Sequence, residues 1–318
     1  MEFEAFKNTI MDLVSKEVED RGLEDISLKL TTVESPDGMT DRLMVSVGES
    51  KMSMAFRLKE IYQSVEDGED IDHAVYKMVN TIEDNISVVK EKEQDVKSFI
   101  TDYEKVKDNT YLRLIPGDSP ILKSTPHKMI EDMALVVNVH LDSFSDENGR
   151  SCVVVSTPLM EMYGIDEAQL FADAEKNSLE NEPMVFTPLG DMIKSLIESE
   201  SLPTPEEAGI VTYIATNKSG FQGAAIAGYP GFAEKAAETI GGSFYMLPSS
   251  VHEFILIKDD GTPKAKDLNA MIKNVNETVL EPRDILSAQC YHYDAKTKVL
   301  ETGLKHAAKI QQKKGGAR

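Results

Sequence analysis

Phe3, Phe6, Ile10, Leu13, Val14 and Val18 recur at helical spacing, with charged residues on the other face. That pattern predicts an amphipathic helix ending near Arg21-Gly22. The period then changes. Ile26, Leu28 and Leu30 alternate with Ser27, Lys29 and Thr31, the mark of a half-buried strand. Ser35-Pro36-Asp37-Gly38 signals a turn, and Leu43, Val45 and Val47 restart the alternation. Met52, Met54 and Phe56 continue it, so a small antiparallel meander with one wet face is expected. Ile71, Val75, Met78, Val79, Ile82, Ile86 and Val89 form the next helical stripe, over residues 70–90. The mixed-charge run Glu91–Asp95 reads as its solvated end.

From Thr101 onward the elements shorten. Tyr111, Arg113 and Ile115 alternate with Leu112 and Leu114, predicting a strand before Pro116-Gly117. Ala134–Leu141 is a strong strand, expected to form a hairpin with Cys152–Val155 across an Asp146-Glu147-Asn148-Gly149 turn. Asn138 and His140 lie on the face opposite Leu135, Val137 and Val139. Thr157-Pro158 and Thr187-Pro188 each place a cap before a proline at a helix start. Asp166 to Gln169 resembles a capping box, with Ile165 and Leu170 spaced as a staple, and Thr204-Pro205-Glu206-Glu207 is another box.

The last region reads as strands Val211–Ala215 and Gly223–Tyr229, then a helix carrying Ala233, Ala236, Ala237 and Ile240 up to Gly241-Gly242. Strands Phe244–Leu247 and Glu253–Ile257 follow, then a helix using Leu268, Met271, Ile272 and Val275, then strand Cys290–Tyr293. Single strands do not alternate strictly with crossover helices, so the predicted class is α+β with antiparallel sheets. The expected divisions are an N-terminal domain at 1–100, a middle α+β region at 101–200, a C-terminal ββαββαβ domain at 206–303 and a basic tail at 304–318. The polar, acidic stretch Glu198–Gly209 is the expected linker. The tail reads as a frayed helix or a disordered end, able to dock on the protein's own acidic surface or on an anionic partner.

Composition narrows the function classes. The chain of 318 residues has 55 acidic and 34 basic side chains, a net charge of −21. Such a surface repels nucleic acid and anionic membranes, so no nucleic acid bound by direct basic contact and no membrane are expected as partners. Two cysteines exclude a disulfide framework and a cysteine-built zinc site. No basic n-region precedes Phe3 and no apolar run nears ~20 residues, so a cytoplasmic location is expected. Tryptophan is absent and aromatics are 7%, which does not suggest a base-stacking platform. The 15 methionines are expected mainly in the core.

Several words of the C-terminal third occur in a recognisable order: Thr216-Asn217-Lys218, Gly223-Ala224-Ala225, Tyr229-Pro230-Gly231, Leu247-Pro248-Ser249-Ser250-Val251-His252-Glu253 and Tyr291-His292-Tyr293-Asp294. With Pro158-Leu159-Met160-Glu161-Met162-Tyr163-Gly164 they resemble an uncharacterised family of bacterial cytosolic proteins, known mainly from anaerobic gut Firmicutes and classed only as a domain of unknown function. The resemblance runs from about Thr101 to Asp294. It implies no activity, substrate or catalytic residue. Ser287-Ala288-Gln289 departs from it where an acidic residue is expected soon after the serine.

Ser250 and His252 are the candidate catalytic pair, and Asn217, Lys218, Ser249, Ser250, His252 and Glu253 the candidate patch. On an extended chain Ser250 and His252 would share a face about 6.6 Å apart, while Glu253 would point away. A carboxylate from elsewhere, Asp259 or Glu277, would then have to orient the imidazole. No G-x-S-x-G elbow exposes the serine. The competing reading makes Ser249 and Ser250 a turn, with His252 opening the next strand. The six histidines are scattered singly, so no metal site and no cofactor are expected, although His292 and Asp294 would share a strand face. Asp259-Asp260-Gly261 lacks the alternating acids of a calcium loop and reads as a turn, as does Asn217-Lys218-Ser219-Gly220, and no phosphate-binding motif occurs.

Three functions stay open. The first is a non-enzymatic interaction or regulatory protein with a protein partner. The second is a hydrolase or transferase using Ser250 and His252. The third is an acidic inhibitor that mimics nucleic acid.

Overall fold

A computed structural model describes residues 2–35, 38–48, 53–141, 152–191 and 211–315. The chain divides into two compact units, Met1–Lys105 and Val106–Arg318.

In the first unit, helix α1 (Phe3–Asp20) buries Phe6, Ile10, Val14 and Val18, the stripe its periodicity predicts. Strands β1 (Ile26–Ser35), β2 (Gly38–Val47) and β3 (Ser53–Arg57) form the expected antiparallel meander. Its register sets Leu28 against Val45 and Leu43 against Phe56. One sheet face is therefore apolar and packs with α1 and with α3 (Ile71–Ile100) through Val75, Met78, Val79 and Ile82. Helix α3 continues about three turns beyond the predicted stripe and takes in the charged run at 91–95. The hairpin tip at Pro36 and Asp37, and Met52, lie outside the described residues. Between β3 and α3 sits helix α2 (Leu58–Glu66), absent from the sequence reading. Its Leu58, Ile61, Tyr62 and Val65 fall at helical spacing and join the same core.

On β2, Asp41 accepts from the Thr32 hydroxyl at 2.6 Å and from the Lys7 ammonium at 3.0 Å. These bonds, Thr32 first, hold its carboxyl below the usual range. A carboxylate depressed on folding stabilises above its unfolded pKa, and that contribution is lost as pH falls through the folded value. Asp41→Asn is therefore expected to cost about 1 kcal/mol at pH 7 and much less at pH 3. Urea midpoints of wild type and variant at the two pH values check this.

Helix α4 (Tyr103–Val106) runs across the division, and the second unit continues with a sheet of β4 (Thr110–Pro116), β5 (Lys128–Ile130), β6 (Met133–His140) and β7 (Cys152–Val154). Strand β6 is central and buried on both faces, Asn138 and His140 included. The β6–β7 hairpin is present, while its expected turn lies outside the described residues. Helix α5 (Thr157–Tyr163) is capped by Ser156, one residue before the predicted Thr157, so Pro158 takes its second position. Helix α6 (Glu167–Asn181) starts at Asp166 as predicted, with the Asp166 carboxylate accepting from the Gln169 N–H at 2.8 Å. It covers the edge of β4: Ser178 Oγ accepts the Leu112 N–H, and Asn177 Nδ2 donates to the Thr110 carbonyl.

A six-stranded antiparallel sheet completes this unit in the order β13-β12-β10-β11-β9-β8. Its members in chain order are β8 (Met184–Pro188), β9 (Thr212–Asn217), β10 (Phe244–Ser250), β11 (Glu253–Lys258), β12 (Tyr291–Asp294) and β13 (Val299–Thr302). The middle and C-terminal regions, read separately from the sequence, thus share one sheet, since β8 pairs with β9. The linker expected at Glu198–Gly209, with its capping box, lies outside the described residues. Thr187 and Pro188 end β8, and a helix starts at the next residue, Leu189, one position later than the Thr187-Pro188 cap predicts. Both residues belong to β8, an edge strand, where a proline without an N–H removes no needed ladder bond.

Gly223–Tyr229, expected as a strand, is not one. Gln222 takes a left-handed conformation, φ 51°, and Gly223–Gly228 follows as a 3-10 helix. Helices α7 (Phe232–Ile240) and α8 (Ala265–Thr278) sit where the sequence places them. The tail is ordered at its start. Helix α9 (Gly303–Gly315) sets Lys305 on Glu131 at 2.6 Å and Lys309 on Glu301. Strand β13, just before it, was not predicted. Among the described residues no helix is long and apolar enough to cross a membrane.

Candidate functional site

All six patch residues come to one end of the six-stranded sheet. Asn217 ends β9, Ser249 and Ser250 end β10, and Glu253 opens β11 opposite Ser250. Lys218 is exposed, whereas Asn217 is buried and donates from Nδ2 to the Phe221 carbonyl at 2.9 Å. The Asn217–Gly220 segment is a turn, as predicted, with Glu182 accepting the Ser219 N–H.

The expected geometry of Ser250 and His252 is corrected. The strand runs through Ser250 with a bulge between Pro248 and Ser250, and the hairpin turn is Val251-His252. His252 therefore lies in the turn instead of opening β11. Ser250 Oγ accepts the His252 backbone N–H at 3.0 Å, so the two residues meet through the backbone. The ring faces elsewhere. Nδ1 accepts the Gln222 N–H at 3.1 Å, and Nε2 is 3.6 Å from Asp284 Oδ1. The orienting carboxylate is Asp284, in place of Asp259 or Glu277. The turn is clamped on three sides. Thr216 Oγ1 donates to the His252 carbonyl, Ala224 N–H to the Val251 carbonyl, and Val251 N–H to the Asp284 carbonyl.

This bonding limits the chemistry. A neutral imidazole has one lone pair, and here it accepts a backbone N–H. The other nitrogen then carries the proton and faces a carboxylate. No basic nitrogen is left for the Ser250 hydroxyl, which general-base activation requires. Loss of the turn acceptor in Ser250→Ala is expected to cost about 1 kcal/mol, and His252→Ala about 2 kcal/mol, because a buried Gln222 N–H loses its partner as well. Thermal melts of both variants check this.

Behind His252 lies a polar group that the sequence reading did not assemble. Asn138 Nδ2 donates to Gln222 Oε1 at 2.9 Å, and both amides approach Cys152 Sγ at 3.4 and 3.5 Å. Rings lead from the four-stranded sheet to the turn: Tyr111 stacks on His140, His140 meets Phe221, and Phe221 meets His252. The alternation of Asn138 and His140 on β6 was the signal available for this face.

A second group lies at the other end of the same strands. His292 on β12 pairs in register with Tyr245, and its Nε2 is 2.9 Å from Asp259 Oδ2. Its ring stacks on His306 of α9, with centroids 3.5 Å apart and planes within 14°. His306 Nδ1 is 3.6 Å from Glu301 Oε1. His292 is 2% exposed, and burial lowers its pKa against the opposing pull of Asp259. Burial likewise pushes the Tyr245 phenol up to about 12 and the Cys290 thiol up to about 11, so Cys290 stays protonated and unreactive near neutral pH. The Asp259 carboxylate also closes a local turn, accepting the Gly261 N–H at Oδ1. His292 was singled out with Asp294. The partners that converge on it are Asp259 and His306.

A family model matches residues 3–295, that of DUF5688, described as a family of unknown function. The match begins well before the words that carry the sequence resemblance. No curated protein and no solved structure matches the chain.

Proposed function

The chain belongs to DUF5688, a family that carries no assigned activity, and from that premise we propose that it is a non-enzymatic interaction or regulatory protein whose partner is a protein. The supporting observation is the bonding of His252. At the corner where a nucleophile and a base stand nearest in sequence, the ring Nδ1 and the serine oxygen are taken up by backbone N–H groups of Gln222 and His252, and Nε2 faces Asp284 at 3.6 Å. A reading as a hydrolase or transferase would need the ring to leave Gln222 before it could take a proton. The net charge of −21 further favours a partner with basic groups, and it keeps open the reading as an acidic mimic of nucleic acid.

The test pairs binding with turnover. A stoichiometric protein partner, captured from native lysate by wild type and equally by Ser250→Ala, is the expected result. Capture lost between low and high salt would indicate the acidic mimic, and capture that persists an ordinary interface. Hydrolysis of an activated ester or amide by wild type, abolished in Ser250→Ala at a temperature where the variant remains folded, would overturn the proposal.

A further inference from the structure

We propose that Asp259, His292 and His306 form a binding site for a divalent transition cation of the zinc class. This stands independently of the function proposed above.

Each of the three residues offers one ligand atom, and these atoms all lie within 4.8 Å of one another. Ligands around a tetrahedral zinc at about 2.0–2.1 Å stand roughly 3.3 Å apart. Asp259 Oδ2 and His292 Nε2, 2.9 Å apart, already stand near that spacing; the remaining gaps must close by at most about 1.5 Å, and the stacked His306 ring must tilt out of parallel so that its in-plane lone pair meets the same ion. Among the described residues this is the one group of three or more histidine, cysteine, aspartate or glutamate side chains that converges in this way.

The donor chemistry selects the ion. Two imidazoles and one carboxylate suit zinc, nickel, copper or iron(II), whereas calcium and magnesium take shells of oxygen. Three protein ligands leave a fourth position for water or for a group on a partner.

Two further observations point to a missing ligand. The Nδ1 atom of His292 is buried and has no hydrogen-bond partner. A buried polar nitrogen left without a partner is destabilising. Second, His306 has a carboxylate beside it that lies outside the ligand set, Glu301, with Oε1 3.6 Å from Nδ1. Carboxylates in that position fix tautomer and ring orientation in metal-binding histidines. Glu301 is held in turn by Lys309, which keeps it in the orienting role.

The three residues come from different elements: the loop after β11, strand β12 and helix α9. An ion there would tie the C-terminal helix to the sheet, so the site would act as a metal-dependent clasp on α9. Sequence spacing does not reveal it, because the ligands are 33 and 14 residues apart and no two are consecutive on a helix.

The experiment uses the untagged full chain, stripped with a chelator and titrated with Zn2+ by calorimetry. Wild type is expected to bind one equivalent. Asp259→Asn and His306→Gln are each expected to weaken binding by at least about 100-fold. His252→Gln, at the opposite end of the sheet, is expected to leave it unchanged. Imidazole NMR of wild type supplies a readout that needs no variant: of six histidine rings, those of His292 and His306 should shift at one equivalent of zinc. The proposal is overturned if wild type binds no zinc, if neither variant weakens binding, or if other rings shift.

Discussion

Gly223→Ala is expected to cost about 3 kcal/mol, one of the two largest effects of a single substitution in this protein. A Cβ at Gly223 would lie 2.0 Å from Thr216 Oγ1, 2.4 Å from the His252 carbonyl oxygen and 2.9 Å from the Asn217 nitrogen. Two of these atoms are backbone in paired strands or in the clamped turn, so neither can withdraw cheaply. The third makes the Thr216-to-His252 hydrogen bond, which the new methyl group would break. Gly228 provides an internal comparison. Its added Cβ would meet only the end of the Leu135 side chain, at 2.6 Å, and a leucine can change rotamer. Gly228→Ala is accordingly expected to cost about 1 kcal/mol. Urea unfolding with unchanged slope would show the two midpoints well separated. Equal midpoints would mean that the 3-10 segment shifts freely and that the turn at His252 is not clamped as described.

Asp132→Ala is the second large effect, expected at about 3 kcal/mol. Asp132 lies in the two-residue turn between β5 and β6 and reaches the six-stranded sheet. Its Oδ2 accepts the Ser287 hydroxyl at 2.9 Å and the Gln289 amide at 3.3 Å, and Oδ1 accepts the fully buried Tyr291 hydroxyl. Removing the acceptor strands three donors, one of them without access to water. Burial, and after it the bond to Asp132, holds the Tyr291 phenol far above its usual pKa, so it remains a donor at any working pH. Tyr291→Phe removes one donor and leaves Asp132 with two others, so it is expected to cost only about 1 kcal/mol. Thermal or urea unfolding of the two variants reads the difference. If Tyr291→Phe proved the more damaging, the asymmetry argued from unpaired buried groups would be wrong. The same corner contains the Ser287-Ala288-Gln289 departure. The acid expected there is absent from the local sequence, and Asp132, 155 residues away, lies against that serine.

Much of the fold was legible because one-sided burial leaves a period in the sequence. The stripes of α1 and α3, the alternation of β1 and β2, the doubly buried run of β6 and the cap at Asp166 each reflect a local rule that tertiary contacts reinforce. Helix α2 carried the same kind of signal in Leu58, Ile61, Tyr62 and Val65. The errors fall where local rules are weak. Gly223-Ala224-Ala225 has no side chain large enough to show a period. Pro188 marks the helix that starts at Leu189, but nothing local shows that it also ends β8, an edge strand.

Of the candidate site, the residues at the sheet end could be named, but their bonding could not. Nothing near Ser250 announces that Gln222, 30 residues away, would take the lone pair of His252, or that Asp284 would face its other nitrogen. Asp259, His292 and His306 looked like isolated residues for the same reason.

Sequence alone determined most of the helices and strands and the α+β class, which depend on a residue and its near neighbours, and the net charge of −21, which follows from composition. Only the tertiary structure decided that the middle and C-terminal strands make one sheet, that His252 serves as a turn clamp, and that two histidines and an aspartate meet. Those outcomes depend on which distant elements pack together, and packing brings side chains within 3 or 4 Å whatever their separation in sequence.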